Sequence, residues 1–137
     1  MADDKLVKEV GGWHYQGGMQ PWDFISHYHL DFFSGNVVKY IVRCMRKNGI
    51  EDLKKALSYL EEMDTYFIQT PRIFIPFKNN LRAMLNQKGF TEQQANKAFI
   101  VLKIFLEDDE SLLCEKICKT RYALNDLSLA CFNEKLF

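Results

Sequence analysis

In the stretch GNVVKYIVRCMRKNGIEDLKKALSYL, residues 35–60, an amide, three cations and a phenol recur at helical spacing: Asn36, Lys39, Tyr40, Arg43 and Lys47. Residues three and four apart share one face of a helix, so these five form a single polar line. Their types suit an anion that carries an aromatic group. Arg offers a planar fork to phosphate or carboxylate and Lys a compact point charge. Tyr40 can stack on a base or donate to a phosphate oxygen. Asn36 follows Gly35, where the spacing predicts a helix start, so its amide can cap backbone N–H groups or meet an anion there. A second polar line follows the Asn48-Gly49 turn: Asp52, Lys55 and Tyr59. If the two helices form a hairpin, the lines flank one groove. Lys55 then adds a fourth cation, and Asp52 can orient a Lys or Arg or accept a proton. The bland alternative is a solvated face with surface ion pairs worth ~0–1 kcal/mol each.

His14 and Tyr15 lie in HYQGG, a glycine-rich loop whose backbone amides can approach an anion closely. His14 can serve there as a neutral or switchable donor, or it can fix the loop by bonding a carbonyl. His27 and His29, on an aromatic segment, read as packing residues. No G-x-x-x-x-G-K-[ST] phosphate loop, H-E-x-x-H or G-x-S-x-G occurs. The acidic pairs Glu61-Glu62 and Asp108-Asp109-Glu110 lack the spacing of magnesium-holding all-α pyrophosphatases. Cys114 and Cys118 are one turn apart, but with no His nearby they read as packing thiols, and no metal site is expected.

The elements that must position these residues are helices. Val37, Val38, Ile41, Val42, Cys44 and Met45 oppose the first polar line, and Leu53, Ala56, Leu57, Leu60 and Phe67 oppose the second. The spacing predicts helices over about 36–47 and 50–69, forming an antiparallel hairpin. Pro21 suits the first turn of an earlier helix carrying Trp22, Ile25, Tyr28 or His29, and Phe32, with Ser34-Gly35 ending that segment. Pro71 and Pro76 interrupt the chain around a short extended RIFI. Further helices follow: PFKNNLRAMLNQ stopped by Gly89, a segment with a Thr91–Gln94 capping box, and a last helix with Asp109 as a cap. The expectation is an all-α fold of five to six helices. It divides into a lead-in arm at 1–12, a groove-bearing helical unit at 13–69, and a C-terminal helical part of the same domain at 70–137.

The whole chain of 137 residues fits one domain, with 47% hydrophobic and 26% charged residues. Eighteen basic residues balance eighteen acidic ones, which disfavours duplex nucleic acid as a partner. No apolar run approaches the ~20 residues that span a bilayer, so no membrane partner is expected. MADDKLVKEVGG lacks the apolar stretch of a secretory signal, and four cysteines are expected as free thiols in a reducing cytoplasm. Eleven Phe residues suggest bulky apolar surface. Phe67, Ile73, Phe74, Ile75 and Phe77 are too many for a local core, and a homo-oligomer is expected to cover them.

The order His14-Tyr15, Pro21, Gly35-Asn36, Lys39-Tyr40, Arg43, Lys47, Asp52-Leu53, Lys55-Ala56, Tyr59-Leu60 resembles the SaV-like family of small bacteriophage proteins. The resemblance covers about residues 13–62 and leaves 70–137 unplaced. That family includes a nucleoside monophosphate kinase without a Walker loop and a protein through which a host abortive-infection system senses phage. The resemblance implies a protein acting in the cytoplasm of an infected bacterium, on a nucleotide or nucleotide-derived signal, with a host defence protein as a further partner. Kinase activity would need magnesium, for which Asp52 is the only motif carboxylate. A binder needs only the cations Lys39, Arg43, Lys47 and Lys55, the donors His14 and Asn36, and the rings Tyr15, Tyr40 and Tyr59. A protein–protein adaptor would keep its affinity with those cations neutralised. Removal of an exposed cation such as Lys39 or Arg43 is expected to leave stability nearly unchanged.

Overall fold

The computed structural model describes residues 19–137, which form six α-helices: α1 Pro21–His27, α2 Phe32–Arg43, α3 Ile50–Thr65, α4 Lys78–Leu85, α5 Glu92–Leu106 and α6 Leu113–Phe132. The fold is all-α; the described residues contain no sheet, only an isolated parallel bridge between Ile73 and Glu107. The expected hairpin is α2–α3, the most extensive helix pair, followed by α5–α6. α6 packs on α3, while α1 and α4 close the remaining side against α2 and α5. One core cluster runs through all six helices, from Phe24 through Val38, Leu53, Leu81 and Leu102 to Leu127.

Local chemistry explains the hairpin. Val37, Val38, Ile41, Val42, Leu53, Ala56 and Leu60 are all buried completely. Between the helices, Gly49 sits at φ 62 and ψ −133, a conformation essentially restricted to glycine. Thr91 and Gln94 form the expected reciprocal capping box at the start of α5. At α6, however, Leu112 occupies the N-cap, and the Asp109 side chain accepts instead from the Ser111 N–H at 2.9 Å.

The start of α2 departs from expectation. Ser34 and Gly35 do not end the preceding segment; they lie inside α2, both buried. Asp31 is the N-cap, with Oδ1 accepting from the Ser34 N–H at 2.9 Å and Oδ2 from the Ser34 hydroxyl at 2.7 Å. An Asp cap outweighs the weak breaking tendency of Ser-Gly, and Gly35 earns its place by close packing. A Cβ there would lie 3.3 Å from Ile25 Cγ2. The aromatic lead-in also faces otherwise: Phe24 and Tyr28 are buried, whereas Trp22 is 74% and Phe32 68% exposed.

α3 ends at Thr65, before the expected limit, and Phe67 takes φ 55 and stands 85% exposed rather than in the core. The Pro71–Pro76 segment is held from beneath by Lys116. This lysine is 2% exposed, and its Nζ donates to the Pro71 carbonyl at 3.0 Å and to the Glu107 carbonyl. Burial pushes its pKa down, against the attraction of Asp109. Ile73 N–H donates to Leu106 O, Asp108 N–H to Ile73 O, and Arg72 Nε to Asp108 at 2.8 Å.

Candidate functional site

The face of α2 and α3 opposite the core carries the polar lines. Tyr40 and Tyr59, one from each helix, stack with ring centroids 5.9 Å apart and planes 17° apart. Three cations gather on the Tyr40 ring: Lys39 Nζ at 4.4 Å from its centroid, Arg43 Cζ at 5.0 Å and Lys55 Nζ at 5.4 Å. Each such contact contributes ~0.5–1 kcal/mol at an exposed site. Like charges crowded on one ring repel one another, which an incoming anion would relieve. Among the described residues, Lys39 and Lys55 have no carboxylate partner. Tyr59 also meets Phe32 at 5.8 Å and Phe33 at 6.2 Å, edge to face. The site therefore has an aromatic end at the start of α2 and a cationic end toward its close.

Lys39, Tyr40, Arg43, Lys55 and Tyr59 are thus brought together. Asp52 stands apart from Lys55 and turns into the core, with 0% exposure. Its Oδ2 accepts from the Asn48 N–H at 3.0 Å, reaching back across the Asn48-Gly49 turn from the first turn of α3. Arg43 Nε lies 3.4 Å from both carboxylate oxygens, and Oδ1 has no hydrogen-bond donor among the described residues. Asp52 therefore orients Arg43 toward Tyr40 while fastening the hairpin turn. Arg43 is no free surface cation: its side chain is 32% exposed and neutralises a buried carboxylate. Its removal is therefore expected to cost stability, where removal of a fully exposed cation would not.

Asn36 lies one turn inside α2, and its Nδ2 donates to the Phe32 carbonyl at 2.8 Å. It caps no N-terminal amide, because the helix begins earlier than its glycine suggested. Lys47 lies beyond the end of α2 and lines a second groove with Arg43, Arg46 and Lys88. Arg46 and Lys88 were missed by sequence reasoning. Arg46 follows Arg43 at the same three-residue spacing and could have been read onto the polar line, whereas Lys88 is distant in the chain and no local pattern marks it. His14 and Tyr15 lie outside the described residues. A groove of about 780 Å³ along residues 73–80 shares no lining residue with this face.

The thiols divide by environment. Cys114 and Cys118 are exposed, while Cys44 is buried and pushed up to about 12 by burial, with Cys131 and Asp52 nearby adding to the rise. Burial raises Cys131 to about 11. Among the described residues no group of three or more His, Cys, Asp or Glu side chains could hold a metal ion. None of the described helices is long and apolar enough to cross a membrane.

Residues 11–61 match the model of a protein family of unknown function, DUF3310. The matched region spans α1, α2 and most of α3, and so contains the tyrosine stack, its three cations and Asp52. Lys88 falls outside it. No curated protein and no solved structure matches the chain.

Proposed function

We propose that the chain binds a nucleotide or nucleotide-derived signal on the α2–α3 face. The observation that carries this reading is the convergence of Lys39, Arg43 and Lys55 on a tyrosine that is itself stacked on a second ring. A phosphate sits among the three cations, and the base lies on the exposed ring of Phe32, beside Tyr59. Base–aromatic stacking contributes ~1–3 kcal/mol, and a charge-assisted phosphate contact ~1.5–3 kcal/mol. The resemblance to SaV-like phage proteins supports the same chemistry and would place it in an infected bacterium, where capture of a signalling nucleotide would blunt a host defence. Binding ranks above phosphoryl transfer because Asp52, the one motif carboxylate, is buried and committed to Arg43 and Asn48.

A second reading has its own observation. Phe67, just before the proline segment, and Phe74, within it, are 85% and 83% exposed and favour a protein contact there, with another copy or a host protein. The test is a thermal-shift screen of mono-, di-, tri- and cyclic nucleotides, with and without magnesium, followed by calorimetric titration. Lys39→Ala and Lys55→Ala should each weaken the best ligand about tenfold or more while melting like the parent. Unchanged affinity in both variants would leave the face a solvated surface. Loss of phosphate transfer from ATP with binding retained would favour the kinase.

A further inference from the structure

Beyond Arg43 the cationic line does not stop at the end of α2. It turns into a groove of about 460 Å³ lined by Gln20, Pro21, Arg43, Arg46, Lys47 and Lys88 among others. Three separate parts of the fold meet here: the lead-in to α1, the α2–α3 turn and the α4–α5 turn. Lys88 is half-buried, and its Nζ donates to Gln20 Oε1 at 3.0 Å. Burial and the neighbouring Arg46 both push its pKa down, with Asp23 opposing them. That carboxylate is already engaged, accepting from the Gln20 N–H at 3.1 Å. Asp52 is likewise taken by Arg43. Gly89, at φ 89, lets the α4–α5 turn close on Arg46; a Cβ there would lie 3.3 Å from Arg46 Cγ and from Met45 Cβ. Arg46 is thereby laid along the groove beside Lys88. The fold has gathered four cations, two of them half-buried, and among the described residues the carboxylates near them, Asp23 and Asp52, are both committed. Such a cluster costs free energy that a bound anion would recover.

We infer that this groove is a second phosphate subsite, so that the ligand of the α2–α3 face is a nucleotide bearing more than one phosphate. The inference rests on the function proposed above. Phe32, Tyr40 and Arg43 follow one another along one face of α2, about 16 Å from first to last at 1.5 Å per residue. The base lies at the aromatic end, the first phosphate over Tyr40, and the following phosphates pass Arg43 into the groove. Arg43, facing both regions, is the residue they share.

Calorimetric titration with AMP, ADP and ATP, the corresponding guanine and pyrimidine series, and inorganic tripolyphosphate tests this. Affinity should rise about tenfold or more with each added phosphate within the preferred base series, and tripolyphosphate alone should bind weakly. Lys88→Gln and Arg46→Gln should each cut the triphosphate-to-monophosphate affinity ratio about tenfold. Lys88→Arg should restore most of it. If mono-, di- and triphosphates bind equally, or if the ratio survives both substitutions, the subsite is overturned while the proposed function stands. If no nucleotide binds at any salt concentration, both fall together.

Discussion

Replacing Asp52 by Asn tests how far the site depends on one buried charge. The side chain is fully buried, accepts the Asn48 N–H at 3.0 Å, and holds Arg43 Nε at 3.4 Å. A hydrogen bond to a charged group contributes ~1.5–3 kcal/mol. The Arg43 pair adds only ~1 kcal/mol, because a third of that side chain is open to solvent. Asn keeps the shape and, with its amide oxygen in the Oδ2 place, an acceptor for the Asn48 N–H, but it loses the negative charge and turns its NH₂ toward the Arg43 guanidinium, also a donor. The expected loss is ~2–3 kcal/mol, a fall in melting temperature on the order of 10 °C for a domain of this size. Urea unfolding should show a lower midpoint at an unchanged m-value. Arg43→Ala strands the carboxylate and should cost ~2 kcal/mol, and the double variant should be less unstable than the sum by ~1 kcal/mol. Nucleotide affinity should fall in Asp52→Asn as well, through the loss of Arg43's orientation. A stability change below ~0.5 kcal/mol, with additive costs in the cycle, would refute the coupling of turn and site.

Gly49→Ala should lose ~1–3 kcal/mol by calorimetry, since its φ of 62 and ψ of −133 strain any side chain although Phe132 leaves room at 3.6 Å. Lys116→Met should lose ~1–3 kcal/mol and expose residues 70–77 to limited proteolysis, because the Pro71 and Glu107 carbonyls lose their donor. In a thiol-reagent time course at pH 8, Cys114 and Cys118 should react first, and Cys44 only as fast as the protein unfolds. The thiol of Cys44 has a folded pKa of about 12 against an ordinary 9.0. The unfolded chain therefore releases the proton first, and stability, full below pH 9.0, should decline as pH rises from there toward 12.

The α2–α3 hairpin was legible because its signals are local and agree. The apolar positions recur at helical spacing, Asn48-Gly49 marks the turn, and the polar lines fall on the opposite face. The same locality made Lys39, Tyr40, Arg43, Lys55 and Tyr59 readable as one group. Asp52 was read as a carboxylate that orients a Lys or Arg, and it pairs with Arg43; its burial and its reach back to the Asn48 N–H were not legible, because periodicity placed it on a solvated face beside Lys55. Asn36 misled because Gly35 looks like a boundary, yet Asp31 caps the helix a turn earlier. Spacing put Phe67 on the apolar face of the second helix, but that helix stops at Thr65 and leaves the ring exposed with the aromatic excess around the prolines. The groove at Arg46 and Lys88 was invisible for a different reason. It is made by the closure of α4–α5 on the α2–α3 turn, a long-range arrangement that no window along the chain contains.

The tyrosine face is assembled almost wholly from one helix, one tight turn and the next helix. Its partners are close in sequence, so little loop-closure entropy stands in the way of forming it. The cationic groove instead waits on Lys88, which docks only when the later helices have closed. The two halves of the surface should therefore appear at different times as the chain folds. A refolding protein should present stacked tyrosines and Lys39 before it presents the groove, and discrimination among phosphate-chain lengths should be the last binding property it acquires.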